Sequence, residues 1–461
     1  MTDRPNVVLV TVDSLRADHC SFAGYDRETT SALDRLAAEG LVFENAVAPG
    51  PSTPESMPAV FTGHRITDRE RRFDVAGRRG SIRRHMTVRD TFPEALSRAG
   101  YATAGFTPNP FTSRYFGFDR GFDRFEDFLD SFVRRTYRRL FERLFGGGDL
   151  VAAIRMALNL WQREEVFKPW EAYYDEAIEW CRRAEEPYFL WLHTMDAHVP
   201  YIAGGAYRSQ HWTTTLRANY RFWREDKKSA FDPVLHDRLL TAYDDSIRYT
   251  DALLERLHSD LGDAIVVVHG DHGEAFGEHG TYGHEPYLYE ENVHVPFVVG
   301  DMSTRERVPA RPVSQPVSLC VLPRLLASVG ADGVAFDSEA GEFAVSRTRH
   351  GNRIALRGQT LKYIRNEDED REGNETRNGD RSRSGNDEKS RNAIRNRKRD
   401  GNENGNGDRP REELYNLARN EHTPVTDERA ERACRDRVDT ILEAERETRR
   451  IQAAARTIEE Q

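Results

Sequence analysis

Cysteine is scarce in this 461-residue chain: its four copies, Cys20, Cys181, Cys320 and Cys434, stand far apart and form no C-x-x-C pair. That spacing excludes a zinc knuckle and a recognisable disulfide framework. Long hydrophobic runs are missing as well. The opening MTDRPNVVLVTVDS offers six or seven apolar positions before Asp13, too few for a signal-peptide core or a membrane span. A soluble, cytoplasmic protein without an integral membrane segment is the expectation. Lysine occurs only six times while Arg, Asp and Glu abound, and the formal net charge is −10. Acidic residues interleave the arginines throughout, so the concentrated basic face of a nucleic-acid binder is absent.

What is present alternates. Asn6 to Val12, NVVLVTV, is a β-branched run of the kind found in strands buried on both faces of a parallel sheet. Thr30 to Gly40 reads as a helix with a polar cap and a closing Gly, followed by the strand-like Leu41 to Ala48, the helix-like Thr87 to Gly100 and the strand-like Tyr101 to Thr107. A helical, aromatic-rich insertion over about 122–160 interrupts the pattern. It resumes with the helix PWEAYYDEAIEWCRRAEE, the strand Tyr188 to Met195, a long amphipathic stretch from Pro233 to Ser259, and the strands Ala264 to Gly270 and Val293 to Gly300. Ser318 to Gly330 reads as a helix. Such alternation predicts an α/β fold with a mainly parallel sheet flanked by helices.

The apolar fraction of 38% is low and the charged fraction of 31% high largely because one block, about 366–411, is Asn, Asp, Glu, Gly and Arg with almost nothing apolar. It cannot bury enough surface to order itself. IALRGQTLKYIRN and REELYNLARN flank it like partners in a small β-structure, so residues 1–340 read as the main α/β domain. Residues 341–461 read as a small C-terminal α+β subdomain with a disordered polar insertion, ending in a charged, solvated helix.

Ligands in such sheets sit beyond the carboxyl ends of strands, which directs attention to four places. Asp13 follows the first strand, and Ser52 and Thr53 in GPSTPES precede a helix. Asp196 and His198 stand in HTMDAHVPY. Asp271, His272 and Glu274 open HGDHGEAFGEHGTYGHE, with His279 and His284 close behind. Singly, each has a bland reading as a turn residue or cap, and His193, inside its strand, reads as a satisfied core histidine. Jointly, two carboxylates and an imidazole suit a divalent ion, Mn²⁺ or Zn²⁺ before Mg²⁺ or Ca²⁺. A hydroxyl beside such an ion loses its proton readily, as zinc-bound water falls from 15.7 to about 7, and a helix start adds a dipole that favours an anionic substrate.

At this point the chain resembles the sulfatase branch of the alkaline phosphatase superfamily. The likeness rests on PNVVLVTVDSLRADH, LDRLAAEGLVFENAVA, FGFDRGFDRFEDF, FLWLHTMDAHVPY, VVVHGDHGEAFGEHGTYGH with LYEENVHVPFVV, and LKYIRN with EELYNLARNE. It implies an alkaline phosphatase-like sandwich and one divalent metal held by Asp13, Thr53, Asp271 and His272. It also implies Thr53 as nucleophile, set by its distance from the Thr62-Gly63 pair, and His198 and His284 as the groups that bind ester oxygens and protonate the leaving group. The formylglycine motif is absent: Ser52-Thr53-Pro54-Glu55-Ser56 has Ser56 in place of the Arg, and Ser14 replaces the second Asp of the usual Asp-Asp pair. The D-x-x-x-H of two-zinc members is not seen, so a single metal is expected.

The substrate implied is a small anionic ester, carried on a sugar or a lipid head group. Sulfate and phosphate esters both stand at this stage, as do Ser52 as nucleophile and phospho-group transfer in place of hydrolysis. A threonine nucleophile is typical of phosphodiesterase relatives, while loss of the formylglycine motif also fits an inactive metal-binding homologue.

Overall fold

The computed structural model describes residues 4–66, 75–128, 168–303, 305–332, 341–348, 352–366 and 411–459. Its centre is an eight-stranded sheet of β1 (Asn6–Val12), β2 (Leu41–Phe43), β3 (Ala102–Phe106), β4 (Arg124–Glu126), β5 (Tyr188–Thr194), β6 (Ala264–Gly270), β7 (Phe297–Asp301) and β8 (Arg311–Val313), in the spatial order β8-β2-β7-β6-β1-β5-β3-β4. All pairs are parallel except those of β7, which runs antiparallel to both β6 and β2. The unbroken apolar run of β1 has its cause here. Val7 and Leu9 join one hydrophobic cluster and Val8, Val10 and Val12 the other, on opposite faces, so every position is buried.

One face is covered by α1 (Ser31–Ala38), α5 (Glu171–Arg183) and α7 (Pro233–Leu261). The other is covered by α2 (Thr53–Thr62), α4 (Phe92–Arg98) and α8 (Leu322–Asp332). The expected helix at Thr87 to Gly100 is shorter, confined to Phe92–Arg98, and a separate helix lies before it. α3 (Val75–Thr87) ends and α4 begins afresh, because Thr91 and Glu94 form a capping box and Pro93 suits a first turn. α6 (Trp212–Arg224) precedes α7, and the Asp232 side chain accepts the Leu235 N–H at the start of α7. The expected strand at Val293 starts only at Phe297, after a short helix at Glu290–Val293.

Of the expected helical insertion, only Phe122–Phe128 lies among the described residues, and its Arg124–Glu126 is the strand β4 rather than a helix. The polar block lies outside the described residues except at its two edges, Asn366 and Arg411. Asn366 ends, and Arg411 directly precedes, strands of a five-stranded antiparallel sheet of β9 (Ala344–Arg347), β10 (Arg353–Arg357), β11 (Leu361–Asn366), β12 (Glu412–Asn416) and β13 (Asn420–Pro424), in sequential order. The final helix, α9 (Glu428–Glu459), is not solvated all round. Cys434, Val438 and Leu442, four residues apart, seat it on Ile354, Leu356, Tyr363 and Leu414, an i, i+4, i+8 stripe hidden in a charged sequence. Among the described residues no helix is long and apolar enough to cross a membrane.

The antiparallel sheet grips the segment between β6 and β7. Buried Glu290 accepts from Lys362 Nζ at 2.7 Å and from Arg357 Nη2 at 3.2 Å, and the Arg353 guanidinium lies 4.2 Å from the Tyr287 ring centroid. Burial pushes the Glu290 carboxyl up, but the charges of Lys362 and Arg357 outweigh burial and hold it well below the usual range. Glu290→Gln leaves two buried cations facing a neutral amide. We expect a loss of about 3–5 kcal/mol in denaturant midpoint measurements, with Lys362→Met milder because Arg357 still pairs the carboxylate.

Candidate active site and metal centre

Four strand and helix ends converge. Asp13 leaves β1, Asp271 and His272 leave β6, Thr53 begins α2, and Asn109 follows β3. Thr53 Oγ1 donates to Asp13 Oδ2 at 3.2 Å and lies 3.4 Å from His272 Nε2. Asn109 Nδ2 donates to Asp13 Oδ2 at 2.6 Å and to Thr53 Oγ1 at 3.3 Å, and its amide orientation is fixed because Oδ1 accepts the Phe111 N–H at 2.8 Å. Ser52 holds the position before α2 in extended backbone, yet its side chain makes no cap bond. Of the two adjacent hydroxyl residues, Thr53 is the one bonded into the cluster.

Ser14 is not merely a lost ligand. Its φ of 61° is left-handed, a strained setting for a non-glycine residue. Tyr243 Oη donates to its carbonyl at 2.6 Å, while its N–H donates to Asp271 Oδ1 at 3.2 Å and its Oγ to Asp13 Oδ1 at 3.0 Å. The turn therefore aims both carboxylates at one point.

His193 departs from the sequence expectation. It is fully buried, its Nδ1 lies 3.2 Å from Thr112 Oγ1, and its Nε2, without a hydrogen-bond partner among the described residues, sits 3.8 Å from Asp13 Oδ2. A satisfied core histidine would not leave that nitrogen orphaned. Asp271 Oδ2 is likewise buried and, among the described residues, unpartnered. One ligand atom each from Asp13, His193 and Asp271 fall within 4.8 Å of one another, and His272 Nε2 lies 3.4 Å from Asp13 Oδ1 and 3.8 Å from Asp271 Oδ1. The His272 Nδ1–H donates to the Gly273 carbonyl at 2.7 Å, which turns Nε2 toward the cluster. Two carboxylates, two imidazoles and two orphaned buried atoms fit a divalent cation.

The electrostatics agree. Burial raises the Asp271 carboxyl, and the adjacent Asp13 charge raises it further. For Asp13, burial is outweighed by His198 and His272, and the carboxyl stays well below its ordinary range. Burial opposes charge on His272, but Asp271 and Asp13 overcome it and lift its imidazolium to about 10. Without a cation the cluster keeps protons that a cation would displace.

The other predicted histidines divide. The His198 and His284 ring centroids are 5.0 Å apart, and His284 is 5.1 Å from His272, so both border the cluster. His284 Nδ1 pairs with Glu274 Oε2 at 3.2 Å, and His198 Nδ1 donates to the Val199 carbonyl at 2.5 Å, leaving each Nε2 free of those contacts. Burial lowers the His198 pKa. His279 is elsewhere, bonded to Glu291 at 2.7 Å and stacked on Tyr289. Asp196 accepts the Trp170 N–H at 3.2 Å and stands outside the site.

The Sulfatase family profile matches residues 5–329. The chain is 23% identical over 338 residues to an arylsulfatase of Clostridium perfringens (strain 13 / Type A), covering 65% of this chain and 69% of that protein. Its fold resembles the phosphonate monoester hydrolase of Agrobacterium radiobacter, with a TM-score of 0.60 at 16% identity over 96% of both chains. It also resembles BT4656, solved with its substrate D-glucosamine-2-N,6-O-disulfate, with a TM-score of 0.60 at 14% identity over 96% of this chain and 97% of that one. The periplasmic domain of EptC from Escherichia coli, in complex with Zn, matches with a TM-score of 0.51 at 15% identity over 78% of this chain and 93% of that one.

Proposed function

Because this chain belongs to the sulfatase family, we propose that it is a metal-dependent hydrolase of a small anionic ester in which Thr53, and not a formylglycine, is the nucleophile. The observation that carries this reading is Thr53 Oγ1 between Asp13 Oδ2 and His272 Nε2, at 3.2 and 3.4 Å. Asp13, Asp271, His272 and His193 would hold the cation, for which Mn²⁺ or Zn²⁺ suits the mixed oxygen and nitrogen donors. When bound, it supplies Lewis acidity that eases loss of a hydroxyl proton.

The chain's own residues divide the remaining work. Asp13 Oδ2, 3.2 Å from Oγ1, accepts the Thr53 proton, and the Asn109 Nδ2–H stabilises charge growing on Oγ1. The start of α2 adds a favourable dipole for the ester's anionic oxygens. Attack forms the bond from Thr53 Oγ1 to phosphorus or sulfur and breaks the bond to the alcohol oxygen. That oxygen takes a proton from His284 Nε2, whose other nitrogen Glu274 orients, while His198, protonated once the anionic ester lies beside it, donates from Nε2 to a non-bridging oxygen. Water then cleaves the ester on Thr53, with His284 accepting its proton. An acceptor alcohol in place of water would make the same site a transferase.

We favour a phosphate ester over a sulfate ester because threonine, unlike a formylglycine hydrate, has no second hydroxyl with which to expel a bound sulfate. The family itself and the disulfated sugar bound to BT4656 favour sulfate. A paired assay of the Mn²⁺-loaded protein on an aryl phosphodiester and the matching aryl sulfate decides between them. A phosphodiester preference supports this assignment, a sulfate preference reverses it, and cation binding without turnover of either would leave a binding protein.

Asn109→Ala is expected to lower kcat on the preferred ester by about 10²-fold with KM little changed. Asn109→Asp should be worse, because it sets a third carboxylate against Asp13. Steady-state kinetics check both.

A further inference from the structure

At the other end of α2, about 15 Å from Thr53 by the rise of a ten-residue helix, lies a cavity of about 550 Å³ between the catalytic sheet's helices and β9. That volume is in the range of small-molecule sites, about 300–1,000 Å³. Its described lining has a divided character. Val317, Val321, Pro323 and Phe343 make an apolar wall, while His64, Arg65 and Arg324 supply cationic or protonatable groups. The described lining residues include no Asp or Glu, in a chain whose acidic residues outnumber Lys and Arg by 77 to 67.

Arg65 is under-satisfied. Its Nη2 lies 3.7 Å from a Glu445 oxygen, and that carboxylate is already shared with Arg347. Among the described residues its Nε is buried without a hydrogen-bond partner. A buried guanidinium N–H without an acceptor is costly, and an incoming anion would remove that cost.

We propose that this cavity is a second ligand site, separate from Thr53, which binds an organic monoanion with its apolar body against Val321 and Phe343 and its charged head between Arg65 and Arg324. A sulfonate, a carboxylate or a monoester sulfate on an aryl or alkyl body has the required chemistry. The site does not depend on the reading of Thr53 as a nucleophile.

Cys320 makes the site testable, because it lines the cavity and is half-buried, whereas Cys20, Cys181 and Cys434 are buried. The experiment alkylates the full-length, Mn²⁺-loaded protein with N-ethylmaleimide and follows Cys320 by peptide mass spectrometry. The probes are 1-anilinonaphthalene-8-sulfonate and its uncharged counterpart N-phenyl-1-naphthylamine. Saturable protection of Cys320 by the sulfonate, about tenfold or more, is expected, with no protection by the amine and with the protecting affinity weakened about tenfold in Arg324→Glu. Arg324 is exposed, so the variant should keep its fold, which circular dichroism verifies, and Arg324→Gln should fall between the two. The proposal is overturned if the sulfonate leaves Cys320 reactive, if the neutral amine protects equally, or if protection ignores Arg324→Glu.

Discussion

Thr53→Ala will abolish turnover of whichever ester the protein prefers, by about 10⁴-fold or more in kcat, while the protein still folds and binds its cation. The large effect follows from a single atom. Oγ1 is the atom placed against Asp13 Oδ2, His272 Nε2 and Asn109 Nδ2, and no neighbouring side chain can replace it. Ser52 is one residue away, but its hydroxyl is not bonded into the cluster, so Ser52→Ala should change kcat by less than about tenfold. Thr53→Ser keeps the oxygen and loses the methyl that limits its rotation, so partial activity should survive. Single-turnover assays with an aryl leaving group, with calorimetric cation titration as the folding control, give the readout. Thr53→Ala protein turning over near the wild-type rate would refute the nucleophile, and Ser52→Ala falling as far would move the assignment by one residue.

The parts of the site that were legible in the sequence share one property: they stand directly at the ends of strands or helices. Asp13, Thr53, Asp271 and His272 do so, and the strand-end rule finds them without alignment. His193 does not. It lies within β5, paired in register with Thr11, and a buried histidine in a strand has no sequence mark of its own. The period-2 alternation of a strand does hold a weak signal. Phe189 and Trp191 share its parity, and Trp191 packs edge-on against Phe61 of α2, so His193 faces the side that bears Thr53. Asn109 is silent for another reason: an Asn before a Pro after a strand has the sequence of an ordinary turn. The C-terminal helix concealed its stripe because three apolar residues at a spacing of four are easily lost among Arg and Glu. The antiparallel course of β7 could not be read at all, because a buried strand has the same apolar sequence in either direction.

Removing the divalent cation with a chelator will leave a protein that loses stability as pH rises from about 7 to about 10. The imidazolium of His272 is the main cause. Its folded value near 10 stands above the unfolded value of about 6.5, so its stabilising contribution is complete below the unfolded value and disappears as pH passes through the folded one. That sign gives a fall of about 3 kcal/mol across the window, added to whatever Asp271 has already lost by ionising beside Asp13 at lower pH. A cation reverses the dependence, because it takes the lone pair that the proton occupied. Its affinity should rise about tenfold per pH unit through the same window, and Asp271→Asn and His193→Gln should each weaken it about 100-fold or more. Melting curves with chelator and with Mn²⁺ at pH 7, 8.5 and 10, repeated for His272→Gln, separate this group from the general alkaline loss of charge. Equal slopes in the variant and the parent would remove His272 from the centre. A cation affinity indifferent to His193→Gln would return that histidine to the core.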